Sequence, residues 1–196
     1  MQPGETLLVH GAGGGSGLAA VDVGKALGAR VIATAGSAAK LAAARNAGAD
    51  DVINYRETEF RDVVLDLTGG WGADVIFDPV GGAVFEQSLR CTAPEGRIFP
   101  IGFAGGAIPQ IPANILLVKN ISVHGIYWGY YGGWARQPRT AANIERLRTA
   151  MATLSKWRAD GRLEPLVHGT FPLDDFAAAL DVITERRAIG KVVLTI

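Results

Sequence analysis

A glycine-rich loop near the start of the chain constrains its fold more than any other feature. Residues 10–17 read HGAGGGSG, after an apolar run at 6–9 and before a helix-like stretch at 18–27. Glycines that open a helix leave backbone N–H groups exposed at the positive end of the helix dipole, where a phosphate can approach closely. The order strand, glycine turn, helix therefore predicts a turn that binds a dinucleotide.

The spacing inside the loop fits the Rossmann fingerprint, which requires small residues at its first, third and sixth positions. Ala12, Gly14 and Gly17 occupy these positions, with alanine in place of the first glycine. Gly14 would admit a cofactor to the backbone, and Gly17 would let the helix pack closely on its strand. Gly15 and Ser16 would supply N–H groups between them. The alternative is a glycine turn that only joins a strand to a helix.

Strand and helix patterns alternate along most of the chain. Strands are predicted at 6–10, 30–34, 51–55, 73–78, 97–102 and 121–128, and helices at 18–27, 38–47, 58–67 and 84–93. The near-continuously apolar strands indicate burial on both faces, as in a parallel sheet covered by helices. We predict an α/β fold, with a Rossmann-type, doubly wound, six-stranded parallel sheet over residues 1–164.

The pattern changes after a long helix predicted at 140–158. Residues 165–196 indicate a strand at 166–170, a helix at 173–186 and a strand at 191–196. Neither strand has a partner nearby in the sequence. We therefore predict that residues 165–196 are a segment of another lobe, and that their strands are left with unpaired edges.

Composition favours a small-molecule partner. Nineteen basic and nineteen acidic side chains cancel, without long runs of either sign, so we expect neither a nucleic-acid nor a membrane partner. No signal peptide or membrane-spanning run is evident, and we expect a cytoplasmic protein. Cys91 is the single cysteine, so this chain alone forms no internal disulfide or multi-cysteine zinc cluster. We expect Cys91 to be a core residue, and His10, His124 and His168 to have hydrogen-bonded structural roles rather than to bind metal.

The end of the second predicted strand distinguishes the two nicotinamide dinucleotides. An acidic residue there binds a free ribose diol, but residues 33–36 read ATAG, with Lys40 one turn into the next helix. Because no carboxylate repels a 2′-phosphate, the site favours NADPH over NADH. The alternative for Lys40 is a solvated surface position. Tyr55, at the end of the third strand, would lie at the adenine end.

Other nucleotide-binding classes fit the sequence less well. The missing acidic residue also argues against an S-adenosylmethionine enzyme. Neither Gly24-Lys25 nor Gly190-Lys191 has the glycine and the Ser or Thr of a nucleoside-triphosphate loop. The chain has no Tyr-x-x-x-Lys pair, which excludes the short-chain dehydrogenases.

A series of motifs gives the whole chain a family resemblance. These are QPGET at 2–6, HGAGGGSGLAAV at 10–21, GADDVINY at 48–55, DPVGG at 78–82, GRIFPIGF at 96–103, IPANILLVKNISVHGIYWG at 111–129 and IGKVVL at 189–194. The chain resembles the medium-chain dehydrogenase/reductase superfamily, in its zinc-independent quinone oxidoreductase (zeta-crystallin-like) branch. The resemblance covers nearly the whole chain.

The resemblance implies four groups of NADPH contacts. Those to the pyrophosphate would be Gly14, Gly15, Ser16 and Gly17, and those around the 2′-phosphate Gly36, Lys40 and Tyr55. Pro79, Val80 and Gly81 would lie beside the cofactor after the fourth strand, and Ile101, Gly102 and Phe103 near the nicotinamide. Ser16 stands where the family usually has valine, and its backbone role is expected to survive this difference.

The resemblance also implies hydride transfer to a quinone or an α,β-unsaturated carbonyl, and a homodimer formed through the edge strand at 121–127. The family places a GroES-like catalytic lobe before the sequence with which this chain begins, and substrate contacts come largely from that lobe. Catalytic residues therefore stay unassigned. Two alternatives remain open: a non-catalytic NADPH-binding module or truncated product, and an enoyl reductase unit of a larger synthase.

An aromatic cluster follows the sixth predicted strand. It consists of Tyr127, Trp128, Tyr130, Tyr131 and Trp134, interleaved with glycines. The cluster could wall a pocket for an apolar acceptor or pack at a subunit interface. We favour the interface, because edge strands need to be covered.

Overall fold

A six-stranded parallel sheet forms the centre of the structure, a computed structural model that describes residues 1–134, 136 and 139–196. The strand order is β3-β2-β1-β4-β5-β6. The strands are β1 (Thr6–Val9), β2 (Arg30–Ala35), β3 (Asp51–Asn54), β4 (Ala73–Asp78), β5 (Thr92–Pro100) and β6 (Ser122–Val123). This is the predicted Rossmann-type arrangement. The chain reverses its direction of travel across the sheet between β1 and β4, which places a crevice at the carboxyl ends of these two strands.

Helices cover both faces of this sheet. They are α1 (Gly15–Ala26), α2 (Ala38–Asn46), α3 (Phe60–Leu67), α4 (Gly82–Cys91) and α5 (Ala113–Lys119). Two further helices, α6 (Trp128–Gly132) and α7 (Ala141–Ala159), pack on each other. Neighbouring residues of β1 enter two different cores: Leu8 packs in one, and Leu7 and Val9 in the other. Each such side chain contributes roughly 1.5–3 kcal/mol when it is fully buried. Within the described ranges, no helix combines the length and apolarity needed to cross a membrane.

The sixth strand is shorter than predicted. Only Ser122 and Val123 pair with β5, opposite Arg97 and Ile98. Of the aromatic residues predicted to end this strand, Tyr127 is the N-cap of α6 and Trp128 is its first residue. Ile98 faces β6, since its carbonyl accepts from His124 N at 2.9 Å. Pro100 is the next residue of β5 on that side, and it has no N–H to donate. The ladder therefore ends, and the strand predicted at 121–128 is wrong beyond Val123.

The end of the chain forms a separate two-stranded sheet. Its elements are β7 (Val167–Pro172), a 3-10 turn at Leu173–Asp175, α8 (Phe176–Thr184) and β8 (Lys191–Thr195). The strands β7 and β8 pair with each other in parallel, so each has a partner, and within the described residues only their outer edges stay unpaired. Parallel strands need a crossover of about a dozen residues or more, which the segment containing α8 supplies. The sequence pattern showed the three elements but not this pairing.

One face of α8 packs on this small sheet and the other is exposed. Ala179 and Val182 are buried, whereas Phe176, Leu180 and Ile183 are each about half exposed. The spacing of the exposed residues places them along one stripe of the helix. The helix α8 is therefore apolar on both sides, and only one side is covered within the described residues.

The ammonium of Lys119 caps the carbonyl groups at the C-terminal end of α4. We expect these hydrogen bonds to contribute measurably to stability. Lys119 Nζ donates to the carbonyl oxygens of Leu89 (3.3 Å), Arg90 (3.2 Å) and Thr92 (2.5 Å). Partial burial lowers the pKa of Lys119. The variant Lys119→Met keeps the aliphatic stem and leaves these carbonyls without their donor, so the free energy of unfolding should fall by about 1–3 kcal/mol.

Urea unfolding followed by circular dichroism measures this change. Lys156→Met is a matched control, because Lys156 pairs with Asp160 on the surface with 73% of its side chain exposed, and its loss should change stability by less than about 1 kcal/mol. Equal effects of the two substitutions would contradict a capping role for Lys119.

Candidate functional site

The loop between β1 and α1 presents unpaired backbone donors at the crevice. The turn is fixed by hydrogen bonds from Ala12 N to Thr34 O (3.0 Å) and from Gly14 N to Gly11 O (3.0 Å). Gly11 has a φ of +61°, which favours glycine. Gly14 is the N-cap of α1 and has no side chain to cap it, and the first turn carries no acidic residue. The first N–H groups of the helix therefore point outward without an intrahelical acceptor.

Gly17 allows α1 to lie this close to the turn. A Cβ on Gly17 would lie 2.6 Å from Ala12 Cα and would also collide with the carbonyl oxygen of Gly11. These are backbone atoms, which cannot rotate away. A Cβ on Gly14 would meet nothing closer than Gly11 O at 3.5 Å, an ordinary van der Waals contact. Gly17 is thus required for packing, whereas Gly14 keeps the surface of the loop open.

The C-terminal segment contacts the same loop. Gly190 N donates to Gly13 O at 3.0 Å, and Gly190 forms a parallel bridge with Gly14. A Cβ on Gly15 would lie 2.6 Å from Lys191 Cδ, so the Lys191 side chain crosses the start of α1. A cation at the positive end of a helix dipole is unfavourable unless an anion lies between them. The two positive features therefore define an anion site, and Lys191 is a residue that the sequence analysis did not assign to it.

The ends of β2 and β3 bring cationic and aromatic side chains to Gly36. A Cβ on Gly36 would lie 2.6 Å from Tyr55 Oη and 2.9 Å from Arg56 Nε, so both side chains lie against this glycine. Ser37 caps α2 by accepting from Lys40 N at 3.4 Å. The last residue of β2 is Ala35, so no carboxylate occupies this strand end. Arg56 was missed by the sequence analysis, although it directly follows the predicted Tyr55.

Lys40 lies across the glycine loop rather than in open solvent. A Cβ on Gly13 would meet Lys40 Cβ and Cγ at 2.5 Å, and Lys40 Nζ donates to Arg186 O at 2.6 Å. The side chain therefore connects α2, the glycine loop and the end of α8. The alternative of a simply solvated lysine is not what the structure shows.

The turn after β4 is held by the buried carboxyl of Asp78. Asp78 Oδ1 accepts from Val80 N (2.7 Å) and from Gly81 N (3.0 Å). Burial raises the pKa of Asp78, and the two amide hydrogen bonds oppose this rise. Gly81 has a φ of +73°, and a Cβ there would lie 2.9 Å from Phe103 Cδ1. The turn therefore requires glycine at this position.

The segment after β5 folds over that turn. Ile101 N donates to Asp78 O (2.7 Å), and Ala104 N donates to Pro79 O (3.0 Å). Ile101 and Phe103 keep 38% and 45% of their surface exposed, which leaves an apolar ledge beside the turn. Gly102 lies between these two side chains. All the residues predicted to form the site thus lie in segments that leave the carboxyl ends of β1 to β5.

His10 is a core residue with two hydrogen bonds, as predicted. Its Nδ1 and Nε2 each lie 2.9 Å from a hydroxyl, Thr34 Oγ1 and Ser88 Oγ respectively. Ser88 Oγ donates to Val84 O, so it accepts from His10 Nε2–H, and Nδ1 accepts from Thr34. Burial lowers the pKa of His10 to about 3, and the ring is neutral.

The other residues with metal-binding or nucleophilic chemistry are also used structurally. His124 stacks on Phe99 with ring centroids 5.2 Å apart, and His168 Nδ1 accepts from Ile189 N at 3.3 Å. Cys91 is buried, and burial raises the pKa of its thiol to about 12. Within residues 1–134, 136 and 139–196, no three His, Cys, Asp or Glu side chains cluster in a way that could hold a metal ion.

An apolar cavity of about 580 Å³ lies beside the glycine loop but apart from the strand ends. Leu18 and Val23 of α1, Leu154 of α7, and Leu163 and Pro165 of the following turn line it. Gly15 and Lys191, the residues of the anion site, also line it, together with Asp22 and Arg158, so this mostly apolar cavity adjoins the start of α1.

The neutral state of His10 predicts how stability depends on pH. Below pH 6.5 the unfolded chain takes up a proton at this ring that the folded chain excludes down to about pH 3. The free energy of unfolding should therefore fall as the pH decreases from 6.5 to 5, by up to about 1.4 kcal/mol per unit from this group. Urea unfolding at pH 7, 6 and 5 measures the slope. The slope should flatten in His10→Gln, and parallel profiles would contradict a buried neutral ring.

Alanine substitutions of Gly14 and Gly17 should differ in their effect on stability. Gly17→Ala should lower the free energy of unfolding by about 1–3 kcal/mol, because the new methyl group meets fixed backbone atoms. Gly14→Ala should change it by less than about 1 kcal/mol, since its φ of −86° suits alanine and the space is open. Chemical unfolding distinguishes them, and a loss at Gly14 equal to that at Gly17 would contradict the packing described.

Comparison with known proteins identifies the family to which the chain belongs. The model of the family described as zinc-binding dehydrogenase matches residues 15–146. Quinone oxidoreductase-like protein 2 of Bos taurus is 40% identical over 196 residues, which are 100% of this chain and 54% of that protein. A 2-haloacrylate reductase from a Burkholderia species is 32% identical, over 99% of this chain and 56% of that protein. The Escherichia coli quinone oxidoreductase, solved in complex with NADPH, superimposes with a TM-score of 0.85 and 33% identity, over 100% of this chain and 58% of that one.

The chain therefore belongs to the zinc-binding dehydrogenase family, within the medium-chain dehydrogenase/reductase superfamily. Within that superfamily it belongs to the quinone oxidoreductase branch, of which it holds the cofactor-binding part. The predicted membership of the quinone oxidoreductase branch is confirmed, and its zinc-independent character stays a prediction. The chain spans about half the length of the curated relatives it matches.

Proposed function

We propose that this chain is the NADPH-binding part of a reductase that transfers hydride to a quinone or an α,β-unsaturated carbonyl. One observation carries the proposal: the amides that open α1, Lys40 against Gly13 and Arg56 against Gly36 follow the neighbouring strands β1 to β3 of the sheet, where β2 ends without a carboxylate. Support also comes from the solved relative that holds NADPH and from the relative named as a 2-haloacrylate reductase.

The pyrophosphate would bind at the start of α1. Backbone N–H groups of Gly15, Ser16 and Gly17 would donate to its oxygens, and Gly14 would let it approach the backbone. Lys191 Nζ would reach the same anion from the C-terminal segment. An anion there satisfies both the helix dipole and the lysine, which repel each other in its absence.

The two ends of the cofactor would lie at opposite sides of the glycine loop. Gly36, Lys40 and Tyr55 would surround the 2′-phosphate at the ends of β2 and β3. Pro79, Val80 and Gly81 would contact the middle and nicotinamide part of the cofactor after β4. A further contact to the nicotinamide would come from the ledge formed by Ile101, Gly102 and Phe103.

NADPH, when bound, supplies a hydride from C4 of its nicotinamide. The residues of this chain bind and orient it: the amides of α1 fix the pyrophosphate, and the ledge after β5 shields one side of the ring from water. Reduction of a quinone or an enone also requires a proton. No described residue is positioned as its donor, so catalytic residues stay unassigned.

The zinc-independent character of the enzyme is a proposal that rests on the family resemblance. The described residues assemble no group of three metal-ligating side chains, and no step above involves a metal. We propose a zinc-independent enzyme on the resemblance to the quinone oxidoreductase branch. The cytoplasmic location and the homodimer through 121–127 remain predictions, as does the division into residues 1–164 and a segment at 165–196 that belongs to the catalytic lobe.

The dimer prediction has structural support at the edge of the sheet. The strand β6 has no partner on its outer side within the described residues. The side chains of Tyr127, Trp128 and Trp134 are each more than half exposed beside it. These aromatic residues are the ones for which we favour a subunit interface over a pocket wall.

A parallel titration of the 196-residue chain with NADPH and NADH tests the proposed function. Quenching of its four tryptophans and the nicotinamide fluorescence report binding. We expect binding of NADPH at least tenfold tighter than that of NADH, on the order expected for a phosphate held by charge-assisted hydrogen bonds. In Lys40→Ala the affinity for NADPH should fall while that for NADH stays nearly unchanged. Binding of neither dinucleotide would overturn the proposal.

The Gly14→Ala variant separates ligand binding from folding. A methyl group on Gly14 leaves the fold intact but stands on the surface where the pyrophosphate would approach. The affinity for both dinucleotides should fall by about tenfold or more, because the pyrophosphate is common to both. Ser16→Ala is the control: its backbone donor is retained, so both affinities should change by less than about threefold. Equal effects of the two substitutions would argue against backbone recognition.

A further inference from the structure

Two cations lie at the proposed 2′-phosphate site, and they differ in how their donors are engaged. Lys40 Nζ already donates to Arg186 O at 2.6 Å. The guanidinium of Arg56, by contrast, forms no ion pair and donates no hydrogen bond to any residue in the described ranges of the chain. Only the backbone of Arg56 is fixed, by a hydrogen bond from its N–H to Asn54 Oδ1 at 3.1 Å.

The place of this guanidinium is set by its neighbours. Arg56 Nε would lie 2.9 Å from a Cβ on Gly36, beside Tyr55 Oη at 2.6 Å from the same point. Gly36 follows Ala35, the last residue of β2, where related folds recognise the ribose that carries the 2′ group. Glu57, the nearest carboxylate in sequence, accepts instead from Asn54 Nδ2 at 2.6 Å. The cation is therefore exposed at the strand end, and no carboxylate of the described residues forms an ion pair with it.

A phosphate suits this cation better than it suits Lys40. A guanidinium presents parallel N–H donors that match two phosphate oxygens, and it stays charged at every physiological pH. Lys40 already uses one of its three N–H donors on the Arg186 carbonyl, which holds the ammonium toward the C-terminal segment, so a phosphate must come within reach of that fixed position. Arg56 loses no protein hydrogen bond.

We propose that Arg56 is the main residue that selects NADPH over NADH, with Lys40 in a secondary role. This inference rests on the proposed function, because it names the selectivity residue of the same cofactor site. The guanidinium of Arg56 binds the 2′-phosphate, and Tyr55 lies beside it against Gly36. Lys40 chiefly connects the glycine loop to the end of α8.

Dinucleotide titrations of single variants test this order. In Arg56→Ala the affinity for NADPH should fall by about tenfold or more, with that for NADH changed by less than about threefold. The loss should exceed that in Lys40→Ala. Arg56→Lys should recover part of the affinity, since it restores charge without the parallel donors. Arg45→Ala is the matched control, an exposed arginine at the other end of α2, and should change neither affinity.

The isolated phosphate contact can be measured with 2′,5′-ADP and 5′-ADP as probes. The wild-type chain should prefer 2′,5′-ADP, and Arg56→Ala should abolish most of that preference. An unchanged NADPH to NADH ratio in Arg56→Ala, or equal losses for both dinucleotides, would overturn the role of Arg56 while leaving the proposed function standing. Failure of the wild-type chain to bind either dinucleotide would overturn both. Thermal unfolding of each variant confirms that the fold is retained, as expected for an exposed side chain without protein partners.

Discussion

The close approach of α1 to the turn that follows β1 is the constraint on which the site depends. Because Gly17 has no Cβ, the helix can lie against Ala12 and the carbonyl of Gly11, and its first amides reach the crevice between β1 and β4. A larger residue at Gly17 would move the helix outward and change the direction of those amides. The same contact thus fixes both the packing of α1 on the sheet and the position of the donors offered to an anion.

The C-terminal segment takes part in this arrangement. Gly190 donates to the carbonyl of Gly13, Lys191 crosses the start of α1, and the carbonyl of Arg186 holds Lys40. These contacts join the C-terminal segment to the glycine loop and to Lys40 of α2. A ligand at the proposed cofactor site that draws Lys40 or Lys191 toward its phosphates would change contacts of this segment as well, and so would link its own binding to the position of the last strands.

The sequence was sufficient for the features that depend on local periodicity. Alternating strands and helices, the glycine turn and the absence of a carboxylate after β2 are local patterns, and the structure has them at nearly the predicted positions. The remaining features depend on contacts between residues that are far apart in the sequence. The sixth strand ends early because Pro100, on another strand, lacks an N–H, and β7 finds its partner only across α8. Lys191 lies far from the loop in sequence, and Arg56 becomes a candidate only once Gly36 is seen beside it.

Amide chemical shifts of the ¹⁵N-labelled, 20.6 kDa chain during titration with NADPH test most directly whether the start of α1 binds the pyrophosphate. We expect the largest changes at Gly15, Ser16 and Gly17, with further changes at Gly36 and Tyr55. Changes confined to the apolar cavity between α1 and α7, with the amides of the glycine loop unmoved, would contradict the claim that this helix start binds the pyrophosphate.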